Sequence, residues 1–259
     1  AAMSLLATRR LDLVVGGRLL CRGLEWSIEA GQRWAILGGN GAGKTTLLHT
    51  LAGLRAPSAG EVVLEGERLA QLARRAIAQR IGLLPQDSSD PFPATVWETV
   101  LMGRHPHLHG WRGESERDLQ LARAALLCCG LAGWEERPIA TLSGGERRRV
   151  ALATLLTQQP ALFLLDEPAN HLDLRHQATL FELMKTACDN AHTAVMVLHD
   201  PNHALLHCSH VLLLYGDGRW EAGVSESLLT TERLTHLYGH PLQRISGDGR
   251  TLFVPAATP

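Results

Sequence analysis

Arg33-Trp34-Ala35-Ile36-Leu37-Gly38-Gly39-Asn40-Gly41-Ala42-Gly43-Lys44-Thr45-Thr46 is the stretch that decides the fold. Its first five residues read as a short buried strand, and Lys44 to Gly53 reads as a helix closed by glycine. Between them lies a glycine loop with the spacing and terminal Lys-Thr of a phosphate-binding loop. The glycines let backbone amides turn inward where side chains would clash, and a helix N-terminus adds roughly +0.5 of an elementary charge. A triphosphate suits that concavity. Lys44 is placed to reach its β- and γ-phosphates, and the Thr45 hydroxyl to ligate a bridging magnesium ion.

Composition sets the outer bounds. The 259 residues are 45% hydrophobic and 20% charged, enough for one large α/β domain with an inserted subdomain. Lys and Arg number 25 against 26 Asp and Glu, so no global charge calls for nucleic acid. No apolar run approaches bilayer-spanning length, and the first residues lack an export-signal pattern, with Ala1-Ala2 before Met3 resembling a cloning remnant. The five cysteines, two of them adjacent at Cys128 and Cys129, form no disulfide pattern and fit a reducing cytosol. His105, His107 and His109 alternate in a Pro-containing loop without a partner Cys or carboxylate pattern, which reads as a solvated loop rather than a metal site.

Leu11 to Val15 and Leu19 to Ile28, split by Gly16-Gly17, open the chain as an antiparallel pair. After the phosphate loop come a strand at Glu61 to Leu64, a helix at Arg68 to Gln79 and a strand at Ile81 to Pro85 that delivers Gln86. Asp87 to Pro93 has hinge composition. Helices over Thr95 to Gly103 and Ser115 to Cys129 indicate an all-helical insertion ending near Gln159. Within it, Leu142-Ser143-Gly144-Gly145-Glu146 starts a helix running to Gln158, and its amides offer a second anion site.

Ala161 to Leu165 is a buried-strand run that presents Asp166 and Glu167 at its C-terminal end, where ligands of open α/β sheets gather. Asp166 can hold magnesium through water, and Glu167 can orient a water toward the γ-phosphate. A turn through Asp173, a helix from Leu174 to Asp189 and a strand from Thr193 to Leu198 lead to His199, on the same sheet edge as Asp166. Val211 to Tyr215 is the last core strand. Asp217-Gly218 turns into Arg219 to Ala222, Glu226 to Tyr238 is a helix, and Gly247 to Gly249 turns a final hairpin.

With these motifs in order, the chain resembles an ATP-binding cassette ATPase over nearly its full length. The resemblance implies a P-loop α/β fold of that type, with a mixed sheet core, an antiparallel β subdomain and an inserted α-helical subdomain. It implies one domain over 1–259: a catalytic core at about 3–87 and 160–259, and a helical part with the signature helix at about 88–159. The cofactors implied are ATP and Mg2+. In the dimer implied, each ATP lies between one subunit's Gly38 to Thr46 and the other's Ser143, Gly144 and Gly145. Gln86 is assigned to sensing magnesium and γ-phosphate, Glu167 to the general base, His199 to the γ-phosphate switch and Asp173 to the turn that meets the partner.

Thr95-Val96-Trp97-Glu98-Thr99-Val100, Gly103-Arg104-His105-Pro106-His107 and Asp166 to Asp173 are similar to bacterial importer subunits serving iron-siderophore, haem or cobalamin permeases. This implies a cytoplasmic subunit, peripheral on the inner membrane, partnered by permease subunits and a substrate-binding protein, with a permease helix received around Gln86 to Gly103. Two positions depart from the pattern. Val15 stands where an adenine-stacking aromatic is frequent, a contact worth about 0.5 to 1.5 kcal/mol, and Gly39 stands where proline is usual. The contrasting reading, a non-transport cassette ATPase acting on nucleic acid or ribosomes, is disfavoured by the near-neutral charge and the lack of a long coiled-coil insertion.

Overall fold

The computed structural model describes residues 4–86, 93–108, 113–247 and 250–256. The chain begins with β1 (Leu6–Val15), β2 (Arg18–Ile28), β3 (Arg33–Leu37), α1 (Lys44–Leu51), β4 (Ala59–Leu64) and β5 (Glu67–Arg68). It continues through α2 (Arg74–Arg80), β6 (Ile81–Leu84), α3 (Val96–Leu101), α4 (Glu116–Cys128), α5 (Gly144–Gln158), β7 (Leu162–Asp166) and α6 (Leu174–Asp189). It closes with β8 (Thr193–Val197), α7 (Pro201–His207), β9 (His210–Leu214), β10 (Trp220–Val224), α8 (Ser225–Leu228), α9 (Thr231–Tyr238), β11 (Leu242–Gly247) and β12 (Arg250–Pro255). Two compact units result: Ala1–Gln71 with Thr193–Pro259, and Leu72–His192.

In the first unit, β2, β1, β4 and β5 form an antiparallel sheet. A second set of strands is mixed: β3 lies between β8 and β9, parallel to both, and β10 adds antiparallel to β9. Parallel strands need cover on both faces, and Ala194 to Val197 and Val211 to Leu214 are fully buried. Trp26 packs edge-on to Trp34 at 5.1 Å between ring centroids. In the second unit β6 and β7 pair in parallel, Leu84 opposite Leu165, so the residues after both strands leave from one end.

Several boundaries differ from the sequence reading, each for a local reason. Arg68 pairs with Val63 as strand, and the helix expected from there begins at Arg74 after a short 3-10 turn at Leu69–Gln71. The helix expected over Glu226 to Tyr238 is two helices, because Thr230 leaves helical geometry and caps α9 by accepting from Arg233 N. Helix α7 follows Asp200, whose side chain accepts from Asn202 N, with Pro201 at its first position; the sequence reading had no element there. Of the stretch with hinge composition, residues 87–92 lie outside the described residues, as do His109 and, in the final hairpin turn, residues 248 and 249.

Candidate active site

In the first unit the phosphate loop leaves β3 and enters α1 through Gly43, the N-cap, at φ 98°. Only glycine adopts that conformation without strain, and a Cβ there would stand 3.0 Å from Leu20. No side chain caps α1. The Lys44 ammonium is 7% exposed and donates to Gly38 O at 2.8 Å and Gly39 O at 3.0 Å. Ala42 N closes the loop onto Gly39 O at 3.2 Å. A Cβ on Gly39 would meet only ordinary contact, Leu237 O at 3.8 Å.

Val15 ends β1 at 38% exposure, with Arg18 as its cross-strand neighbour. The Arg18 guanidinium donates to Gly216 O at 2.9 Å and lies 4.0 Å from where a Cβ on Gly41 would sit. At the end of β8, His199 is exposed, and its carbonyl accepts from Tyr238 Oη at 3.0 Å. Burial pushes the Tyr238 phenol above its ordinary range.

The second unit carries the acids. Asp166 closes β7 fully buried, and Glu167 follows at φ 47°, a left-handed backbone conformation at the strand's end. Glu167 Oε2 accepts from Gln86 Nε2 at 3.0 Å and from Asn170 Nδ2 at 2.5 Å. Gln86 and Glu167, read separately from sequence, therefore touch. Asn170 was not among the residues singled out; its position three beyond Glu167 in the turn was the available signal.

Ser143 opens α5 with a capping box: its hydroxyl accepts from Glu146 N at 3.3 Å, and Glu146 Oε2 accepts from Ser143 N at 2.6 Å. The bond from Ser143 N holds the Glu146 carboxyl below the ordinary carboxylate range. Asp173 caps α6, accepting from His176 N at 2.9 Å and meeting His176 Nδ1 at 2.7 Å, and its carboxyl too is lowered, chiefly by the backbone bond. Among the described residues no cluster of His, Cys, Asp or Glu forms a metal site, and His107 Nε2 meets Gln158 O at 3.0 Å.

Residues 21–170 match the family described as ABC transporter. The chain belongs to the ABC transporter family. It is an ATPase of the ATP-binding subunit type, in the P-loop fold with mixed and antiparallel sheets that its motifs anticipated. It is 37% identical over 234 residues to the ferric enterobactin transport ATP-binding protein of Escherichia coli (strain K12), covering 89% of this chain and 85% of that one. To the hemin import ATP-binding protein of Gloeobacter violaceus it is 39% identical over 232 residues, with 87% and 84% covered.

A solved inward-facing transporter of metal-chelate type superposes with TM-score 0.85 at 30% identity, covering 98% of both chains. A bacterial Atm1-family exporter with ATP bound superposes at 0.76 and 25% identity, covering 92% of this chain and 42% of that one. Among the described residues no helix of this ABC subunit is long and apolar enough to cross a membrane.

Proposed function

We propose that the protein hydrolyses ATP to power import of a metal chelate, an iron-siderophore, haem or cobalamin, through a membrane permease. The observation that carries the import reading is the relatives: ATP-binding proteins for ferric enterobactin, iron(3+)-hydroxamate and hemin each match over 84% or more of their own length. In this reading the subunit is peripheral on the cytoplasmic face of the membrane, pairs with a second copy, and works with permease subunits and a substrate-binding protein.

The donor set suits magnesium: the Thr45 hydroxyl, the Gln86 amide oxygen and the buried Asp166 carboxylate are hard oxygen ligands. A magnesium ion held by such donors with ATP would offset charge on the phosphates. Lys44 and the α1 amides bind the triphosphate, with Gly38 to Thr46 as the cradle. Glu167 accepts a proton from the attacking water, which adds to the γ-phosphorus as the bond to the ADP oxygen breaks. Gln86 holds the Glu167 carboxylate in register, and His199 contacts the γ-phosphate. Ser143, Gly144 and Gly145 close on the partner copy's ATP, and Asp173 turns toward that partner.

The test is a pull-down from solubilised host membranes with tagged Glu167→Gln protein and Mg-ATP, which holds the closed dimer. Recovery of a polytopic permease is expected, and its binding-protein partner then narrows the cargo. Recovery of ribosomes or nucleic acid without a membrane subunit overturns the import reading. The same substitution is expected to cut turnover by roughly a hundred- to a thousandfold while ATP binding persists.

A further inference from the structure

Arg148, 6% exposed in the second turn of α5, is the second residue of the triplet Arg147-Arg148-Arg149. One of its terminal nitrogens donates to Pro85 O and to Gln86 O, the latter at 3.3 Å. The other donates to Asp166 O at 2.5 Å and Glu167 O at 3.0 Å. A single guanidinium thus bonds the main chain just past the ends of both parallel strands, β6 and β7. Its four acceptors belong to the residues that carry, or directly precede, Gln86 and Glu167.

We propose that Arg148 is a positioning residue for hydrolysis, clamping the Gln86 and Glu167 backbones together and to the helix that begins at Ser143. The inference rests on the hydrolytic reading of Glu167 given above. Two physical points carry it. A non-glycine residue at φ 47° sits in a sparsely populated conformation that persists only where its surroundings hold it, and Glu167 O is held by Arg148 and by Asn170 N at 3.2 Å. Only a planar fork reaches two diverging chain ends at once; lysine offers a point charge and glutamine one amide.

A mechanical consequence follows. Ser143 lies five residues before Arg148 on the same helix, about 7.5 Å along its axis. When Ser143 and its glycines engage the nucleotide held by the other copy, α5 shifts, and the fork carries that shift to this subunit's own Gln86 and Glu167. Occupancy of one site thereby sets the hydrolytic geometry of the other.

The experiment compares Arg148→Lys, Arg148→Gln and Arg148→Met in the full chain, measuring steady-state ATP hydrolysis and binding of a fluorescent N-methylanthraniloyl ATP. Expected is a fall in kcat of about 10- to 100-fold, smallest for Lys and largest for Met, with analogue affinity and KM within about twofold. The Hill coefficient for ATP falls toward one in the same order. A lowered melting temperature with unchanged kcat per nucleotide-binding molecule overturns the proposal, because a plain packing role moves stability alone. If the Met variant does not fold, the Lys and Gln variants give the same comparison. Loss of turnover in Glu167→Gln beside wild-type turnover in the Arg148 variants overturns this inference and leaves the hydrolytic reading standing. Wild-type turnover in Glu167→Gln overturns both.

Discussion

Helices α1 and α5 both start beside glycine, the N-cap of α1 and the first residue of α5, yet their first turns are built in opposite ways. At α1 the N-cap is Gly43 and no side chain answers the exposed amides. At α5 the chain supplies its own acceptors, Ser143 Oγ and the Glu146 carboxylate. Helices α3 and α4 do the same with Thr95 and Glu98, and with Ser115 and Asp118. Every α-helix begins with unsatisfied amides. The difference teaches that the start of α1 has no side-chain acceptor of its own, whereas the start of α5 supplies two. An anion reaching Ser143 meets a hydroxyl already engaged as acceptor but still able to donate.

The largest expected effect tests how self-contained the capped starts are. Asp118 closes the α4 capping box and also pairs with buried Arg104 at 2.7 Å, so Asp118→Asn should cost about 3 kcal/mol in chemical denaturation by leaving the buried guanidinium charge without its carboxylate, while Thr157 O and Gln158 O go on accepting from it. The Ser115 hydroxyl bond, with Arg104 beside it, holds the Asp118 carboxyl at about 2. Because the folded value is depressed, its stabilisation is complete above about pH 4 and is lost as pH falls through about 2. A wild-type acid limb identical to that of Asp118→Asn would show that the box contributes nothing.

Next comes Lys44→Ala, which should weaken ATP binding by about 100-fold in a fluorescence titration, the scale of a lost charge-assisted bond set. Ser143→Ala, titrated under monomeric conditions, should leave that affinity unchanged and cost about 1 kcal/mol of stability. Equal losses of affinity in the two variants would erase the contrast between the helix starts.

The glycine comparison is of similar size. Gly43→Ala forces a side chain to φ 98° against Leu20 and should lose about 1–3 kcal/mol. At α5 a Cβ on Gly145 would stand 2.8 Å from His171 O, whereas Gly144 has open space. Gly144→Ala should therefore keep or gain up to about 0.5 kcal/mol in a thermal melt. The smallest effect expected is from Val15→Tyr, which should tighten ATP binding by about two- to tenfold if the ring stacks on adenine. No change in affinity would place base recognition elsewhere.

Much of the fold was legible before the structure. The buried runs at Arg33 to Leu37, Ala161 to Leu165 and Thr193 to Leu198 became β3, β7 and β8 within one residue. Helix α6 runs from Leu174 to Asp189, the bounds expected from sequence. The errors fell where a hairpin partner or a cap overrode the expected helix. Arg68 became strand because Val63 pairs with it, and Thr230 divided a helix whose periodicity looked continuous.

The sequence by itself determined the phosphate loop, the order of the motifs and the family, because glycine spacing, apolar runs and strand-end acids are properties of neighbouring residues. Only the tertiary structure decided that Gln86 bonds Glu167 from 81 positions away, that Glu167 turns left-handed, and that Arg148 rather than Arg147 or Arg149 holds both backbones. Three adjacent arginines are alike in sequence. Helix phase and the parallel register of β6 and β7 choose which one is buried against four carbonyls.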